Sequence, residues 1–227
     1  MNPEIPWSLF LPPSDFSDKH ILATTDTNGF NAGMLFLRVH TFTISLLTLA
    51  LALPALSPTT KLPFHDQSAL LNICARDGYA EHFLYQPRKW WNRYHHDANG
   101  EEKGAMGIHF AGVSSVGQGA DTKREVMTRF LERVELRPEE WSVGVKETGY
   151  PGEVEAYWER LRRSRRLLER AGEVQEKGKV GGKAKEEVLE LRRAGVVDVV
   201  LRWAHDEGKV EEANKKLEGV LPAEKKS

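Results

Sequence analysis

A chain of 227 residues is long enough for one domain with a proper core and an appendage. Its 32 Lys and Arg offset 33 Asp and Glu, a formal net charge of −1, so no global basic field exists to attract nucleic acid. The single cysteine, Cys74, excludes an intrachain disulfide and leaves any metal site to His, Asp and Glu.

The opening Met1-Asn2-Pro3-Glu4-Ile5-Pro6 lacks both the basic and the apolar region of a signal peptide. Further on, His20 to Thr24 reads as a strand and Asp26-Thr27-Asn28-Gly29 as a tight turn. Gly33 to Val39 reads as a mostly buried strand. Thr41 to Leu53 is apolar nearly all round, which predicts a helix buried on more than one side. The whole apolar run, Phe42 to Leu56, is broken by Pro54 and is shorter than the roughly twenty residues of a membrane span, so the chain taken alone reads as soluble. Pro54 to Pro63 is a loop and Phe64 to Arg76 a helix, with Cys74 as a small buried residue in it. Glu81 to Tyr85 reads as a short strand. An aromatic loop, Pro87 to Tyr94, leads through Asp97-Ala98-Asn99-Gly100 to a final strand, Ala105 to Phe110. Strands alternating with helices predict an α/β layer structure.

Near residue 120 the composition changes to Glu, Lys and Arg at helical spacing, dividing the chain into 1–119 and a charged helical extension, 120–227. Val126, Phe130 and Val134 fall on one helical face. Val154, Tyr157, Leu161, Ser164, Leu168 and Ala171 form a longer seam. Gly178 to Gly182 breaks that helix, and the stretch from Val188 to Ala204 predicts another, with Gly195 as a weak point. The dense charge on the seam predicts a tail that is helical but loosely docked. The arginines Arg160, Arg162, Arg163, Arg165 and Arg166 read as a solvated face interleaved with Glu.

Three segments could carry chemistry. Asn28-Gly29-Phe30-Asn31-Ala32-Gly33 lies between two strands; it is a hairpin turn, or a place where glycines admit a ligand while the Asn31 amide hydrogen-bonds to it. His65-Asp66-Gln67-Ser68 opens a helix, where Asp66 complements the helix dipole and, with Gln67, can face sugar hydroxyls. Gly107-Ile108-His109-Phe110-Ala111-Gly112 puts a histidine at a strand end, where α/β proteins assemble sites.

The series NGFNAGMLFLR, DQSALLN and GIHFAG, in this order, resembles GT-A fold glycosyltransferases, and among them fungal nucleotide-diphospho-sugar transferases related to glycogenin-like and galactosyl- or mannosyltransferase families. The resemblance covers residues 1 to 115 and implies a partial GT-A domain followed by the helical region. It implies that Asn31 and Gly33 line the donor sugar and that Asp66 and Gln67 face the transferred sugar and the acceptor. His109 would be a late ligand of Mn²⁺, and Gly112 would let the diphosphate approach. The implied partners are a nucleotide-sugar donor and a glycan or protein acceptor, and the implied location is the Golgi. In the family an Asp-x-Asp motif holds the metal with the late histidine. This sequence contains no Asp-x-Asp: Asp15 and Asp18 are wrongly spaced, and Asp26 stands alone. Two expectations follow: an N-terminally truncated transferase, inactive as this fragment because the Asp-x-Asp metal and nucleotide segment is absent, or a non-catalytic helical interaction protein built on a transferase remnant.

Overall fold

The computed structural model describes residues 2–76, 78–95, 104–111, 122–177, 182–193 and 204–221. Two strands, β1 (Ile21–Asp26) and β2 (Gly29–Leu37), form an antiparallel hairpin, and β3 (Phe83–Tyr85) runs parallel to β1 on its other side. The sheet order is therefore β2-β1-β3. The hairpin closes where the sequence predicts. Gly29 takes φ 93°, a conformation that a glycine adopts without steric cost. The register slips after Leu22, so residues between Asn31 and Phe36 bulge out of β2.

Side chains on β1 and β3 alternate between two cores, as the pleat dictates. Ile21, Ala23, Phe83 and Tyr85 face helices α1 (Thr41–Leu56) and α2 (His65–Cys74), meeting Leu46, Leu53, Ala69 and Ile73. Cys74 is buried in this cluster, and burial pushes its thiol up to about 12, so it is a core residue rather than a nucleophile. Leu22 and Leu84 face the other way, into Phe10, Phe16, Trp90, Trp91 and the first half of the long helix α6 (Tyr150–Lys177).

Two expectations about α1 are corrected. The helix runs past Pro54, because a proline in the last turn forfeits little of the helical ladder before Ser57 N donates to Leu53 O. It is also buried on one face only: Thr43, Leu46, Ala50 and Leu53 are inside, whereas Ile44 and Leu51 are 63% and 83% exposed.

After β3 come a helical turn, α3 (Arg88–Trp91), and two short parallel strands, β4 (Arg93–Tyr94) and β5 (Ile108–His109). Only these two residues of the predicted Ala105 to Phe110 strand pair, and Asp97 to Gly100 lie outside the described residues. Helix α4 (Lys123–Leu136) starts on a capping box between Thr122 and Glu125, with Val126, Phe130 and Val134 half-buried as predicted. A short α5 (Pro138–Trp141) leads to α6 (Tyr150–Lys177); α7 (Gly182–Arg193) and α8 (Glu207–Val220) follow. The stretches 178–181 and 194–203, which hold most of the predicted hinge and part of the last predicted helix, lie outside the described residues.

The expectation of a loosely docked tail does not hold for α6. Tyr150, Val154, Tyr157, Trp158 and Leu161 are all buried against the sheet side of the molecule. The Tyr157 hydroxyl donates to Tyr85 O at 2.8 Å. Each such side chain stabilises by about 1.5–3 kcal/mol on burial. The surrounding ion pairs contribute about 0–1 kcal/mol each, so apolar packing decides the docking. Those pairs do absorb the arginine face: Arg162 meets Asp15, Arg165 meets Asp18, and Arg163 meets Glu211 and Glu218 of α8. Helices thus cover both sheet faces, and β1 has neighbours on both edges. Ile21 to Ala23 therefore carry no uncovered apolar face. The described fold is mixed α/β with a small sheet and a helical C-terminal region.

Candidate functional site

Because β1 and β3 are parallel, their carboxyl ends lie together, and the ends of β4 and β5 join them. Asp26, at the end of β1, is the centre of this region. Its Oδ2 accepts from the Tyr94 hydroxyl at 2.5 Å and from Asn31 Nδ2 at 2.9 Å, and its Oδ1 accepts from Asn28 N at 2.7 Å. Burial raises its pKa, but the bonds from Tyr94, Asn31 and Asn28 and the Arg88 charge outweigh it, and the carboxyl is held below its ordinary value. The Arg88 guanidinium lies 4.1 Å over the Tyr94 ring.

Asn31 is buried and fully engaged. Its Nδ2 donates to Asp26 and to Tyr94, while its Oδ1 accepts from Gly33 N and from Asn92 Nδ2, both at 2.9 Å. The sequence leaves two roles open for this segment, a hairpin turn and a ligand contact. The structure uses the amide to lock the hairpin against β4.

Gly33 does provide the predicted close approach, but to a protein group. A Cβ built there would lie 1.9 Å from Cε1 and 2.5 Å from Nε2 of His109. The imidazole therefore rests on the bare backbone of β2, with its edge toward the Tyr94 ring at 5.2 Å. Its Nδ1 is buried without a hydrogen-bond partner among the described residues. Burial, followed by the charges of Lys123 and Arg88, holds this imidazole below its ordinary pKa against the opposing pull of Asp26. His109 is thus neutral at neutral pH.

Gln67 joins the same region, its Oε1 accepting from Ala32 N at 3.0 Å. Asp66 stands beside it, exposed in the first turn of α2, with no hydrogen bond or ion pair among the described residues. The preceding His65 has φ 46°, an uncommon value for a non-glycine residue and a local strain that fixes the approach of α2. Asn31, Gly33, Gln67 and His109 are therefore brought together by direct contacts or through Ala32, whereas Asp66 borders them without contact. Gly112 lies outside the described residues. Sequence reasoning missed Asp26 and Tyr94. The spacing Asp26-Thr27-Asn28 was the usable signal, because a turn aspartate accepts from the backbone two residues on.

Residues 13–119 match the galactosyl transferase GMA12/MNN10 family. This stretch is similar to a glycosyltransferase segment. It takes up just under half of the chain and contains Asp26, Asn31, Gly33, Asp66, Gln67, Tyr94 and His109. No curated protein and no solved structure matches the chain. Glycosyltransferases act on a sugar donor and an acceptor, so the polar cluster at the carboxyl strand ends is where the segment's chemistry would be sought. Among the described residues, no group of three or more His, Cys, Asp or Glu is arranged to hold a metal ion, and no helix is long and apolar enough to cross a membrane.

Proposed function

We propose that this chain carries the sugar-facing part of a GT-A type nucleotide-diphospho-sugar transferase of fungal kind, and that these 227 residues by themselves do not transfer sugar. One observation carries the reading: three segments far apart in the sequence converge, with His109 seated on Gly33 and Gln67 on the neighbouring Ala32 N–H. In this reading Gln67 and the adjacent Asp66 orient the hydroxyls of the transferred sugar and of the acceptor, and His109 presents a neutral imidazole to the donor side. Asn31 and Asp26 act through their neighbours by holding Tyr94 and the hairpin in place.

Relatives of this type use Mn²⁺ to stabilise the departing nucleoside diphosphate. The residues described do not fit that ion. Mn²⁺ is a cation that favours several oxygen ligands, whereas the cluster offers one imidazole and one carboxylate already committed to Tyr94, Asn31 and Asn28. No Asp-x-Asp occurs in the 227 residues to supply the rest. Golgi residence belongs to the same reading, and microscopy of the tagged full-length gene product against a Golgi marker tests it.

The second reading, a non-catalytic helical interaction protein, is favoured by the saturation of the Asp26–Asn31–Tyr94 cluster with internal bonds. Titration calorimetry of the chain with Mn²⁺ and then UDP-galactose or GDP-mannose tests the main proposal. Negligible heat is expected. Micromolar affinity for either nucleotide sugar contradicts it.

A further inference from the structure

Next to the cluster just described, α6 and the start of α8 line an open-sided cavity of about 440 Å³ against the turn that follows β3. Lys89, Glu153, Arg160, His205 and Glu207 provide its polar lining, and Pro87 and Ala156 provide apolar wall. The cavity adjoins the strand ends in two ways. His205 Nε2 meets Thr25 Oγ1 at 3.1 Å, one residue before Asp26. The wall residues Pro87 and Lys89 also flank Arg88, which covers Tyr94.

The charges in this lining cancel in pairs. Lys89 Nζ donates to Glu153 Oε1 at 2.7 Å, and Arg160 meets Glu207 Oε1 at 3.2 Å. Burial holds the His205 imidazole below its ordinary value, so it is neutral. Glu153 Oε2 also accepts from Trp90 Nε1 at 2.8 Å, which fixes the carboxylate at the cavity wall. Among the described residues Arg160 Nε is buried and has no hydrogen-bond partner, so the guanidinium retains an unused donor. An anion would find each cation already neutralised by a carboxylate, and a cation would find the converse. A neutral polyhydroxyl ligand suits this set. Its hydroxyls both donate and accept, so they can bridge the fixed carboxylates and the nitrogen donors while its C–H faces lie on Pro87 and Ala156.

We propose that this cavity is a binding subsite for a neutral hexose chain, formed largely by residues outside the glycosyltransferase segment. Gly152, Glu153, Ala156, Arg160, His205 and Glu207 all follow residue 119. The helical region thus contributes recognition of the sugar polymer beside the strand ends. The proposal rests on the sugar-transfer reading for its choice of ligand class, but it does not require donor binding.

The test is a ¹⁵N NMR titration of the full 227-residue chain with α-mannotriose and α-galactobiose, with inorganic phosphate as the charged probe. At least one of the sugars should bind with a Kd on the order of 1 mM. Its shifts should be confined to Lys89, Gly152 to Ala156, Arg160 and the segment from His205 to Glu207. Ala156→Trp, which fills the cavity from an exposed helix position, should weaken that binding by about tenfold or more without lowering the melting temperature. Gly152→Leu serves as the second blocking variant, since a side chain there enters open space. Binding of phosphate at these residues, sugar shifts elsewhere, no sugar binding, or full affinity in both blocked variants overturns the subsite. Nucleotide-sugar affinity is measured separately, so either reading can fail while the other stands.

Discussion

Replacing Gly33 by alanine tests the contact on which the candidate site is built. The new Cβ would clash with the His109 ring, 1.9 Å from Cε1, so either the imidazole or the bulged segment of β2 must move. The ring is half-buried and can swing outward, which sets the cost at the low end of the overpacking range, about 1–2 kcal/mol. Part of that cost is the lost edge contact with Tyr94, worth about 0.5–1.5 kcal/mol. For a chain of this length each kcal/mol lowers Tm by roughly 2–4 °C. Denaturant unfolding gives the energy, and ¹H–¹⁵N NMR titration of the histidines gives the position of the ring. His109 is held low chiefly by burial, so in Gly33→Ala its pKa should rise toward the ordinary imidazole value. The double variant with His109→Ala should recover most of the lost stability, because the clash then has no partner. A Gly33→Ala protein with unchanged stability and an unchanged His109 titration would refute the packing argument.

Two further outcomes concern the same framework. Asp26→Asn should destabilise by about 1–2 kcal/mol at pH 7, since one carboxylate oxygen becomes an NH₂ facing the donors Tyr94 and Asn31; urea unfolding measures it. The folded pKa of Asp26 lies below its unfolded value, so its contribution is complete above the unfolded value near 3.9 and is lost as pH falls through the folded value. Asp26→Asn should therefore flatten the acid limb of the stability curve. A separate decline should begin as pH falls through about 6.5, because His20, His109 and His205 are held neutral by burial and the unfolded chain takes up their protons first; His109→Gln should remove part of it. Tyr157→Phe should cost about 0.5–1.5 kcal/mol by thermal melting, the net worth of its buried bond to Tyr85 O, and a melt identical to that of the parent would show that α6 is not anchored there.

The local part of this architecture was legible in the sequence. The hairpin at Asn28-Gly29 and the start of α2 at His65 and Asp66 are each set by residues a few positions apart, so turn chemistry and the helix dipole predict them. What escaped prediction depends on distant partners. The seam of α6 is dense in charge, yet Tyr157 and Trp158 carry enough apolar area to complete the face of the sheet opposite α1, and Asp15 and Asp18 stand ready for Arg162 and Arg165. A one-dimensional pattern shows the stripe but not the surface that it meets. The site was half legible in the same sense. Gly33 and His109 were singled out separately, and the structure explains each by the other. Asp26 was passed over for lacking a second aspartate two positions away, whereas its partners Tyr94 and Asn31 lie 68 and 5 residues along the chain.

The central claim is that segments separated in sequence meet at the carboxyl ends of parallel strands. Nuclear Overhauser measurements on the isotope-labelled chain test it most directly. Strong cross-peaks are predicted between the His109 Hε1 proton and the Gly33 Hα protons, together with cross-peaks from the Gln67 side-chain amide to the Ala32 amide. A folded chain with a clear His109 Hε1 resonance and no cross-peak to Gly33 would contradict the account.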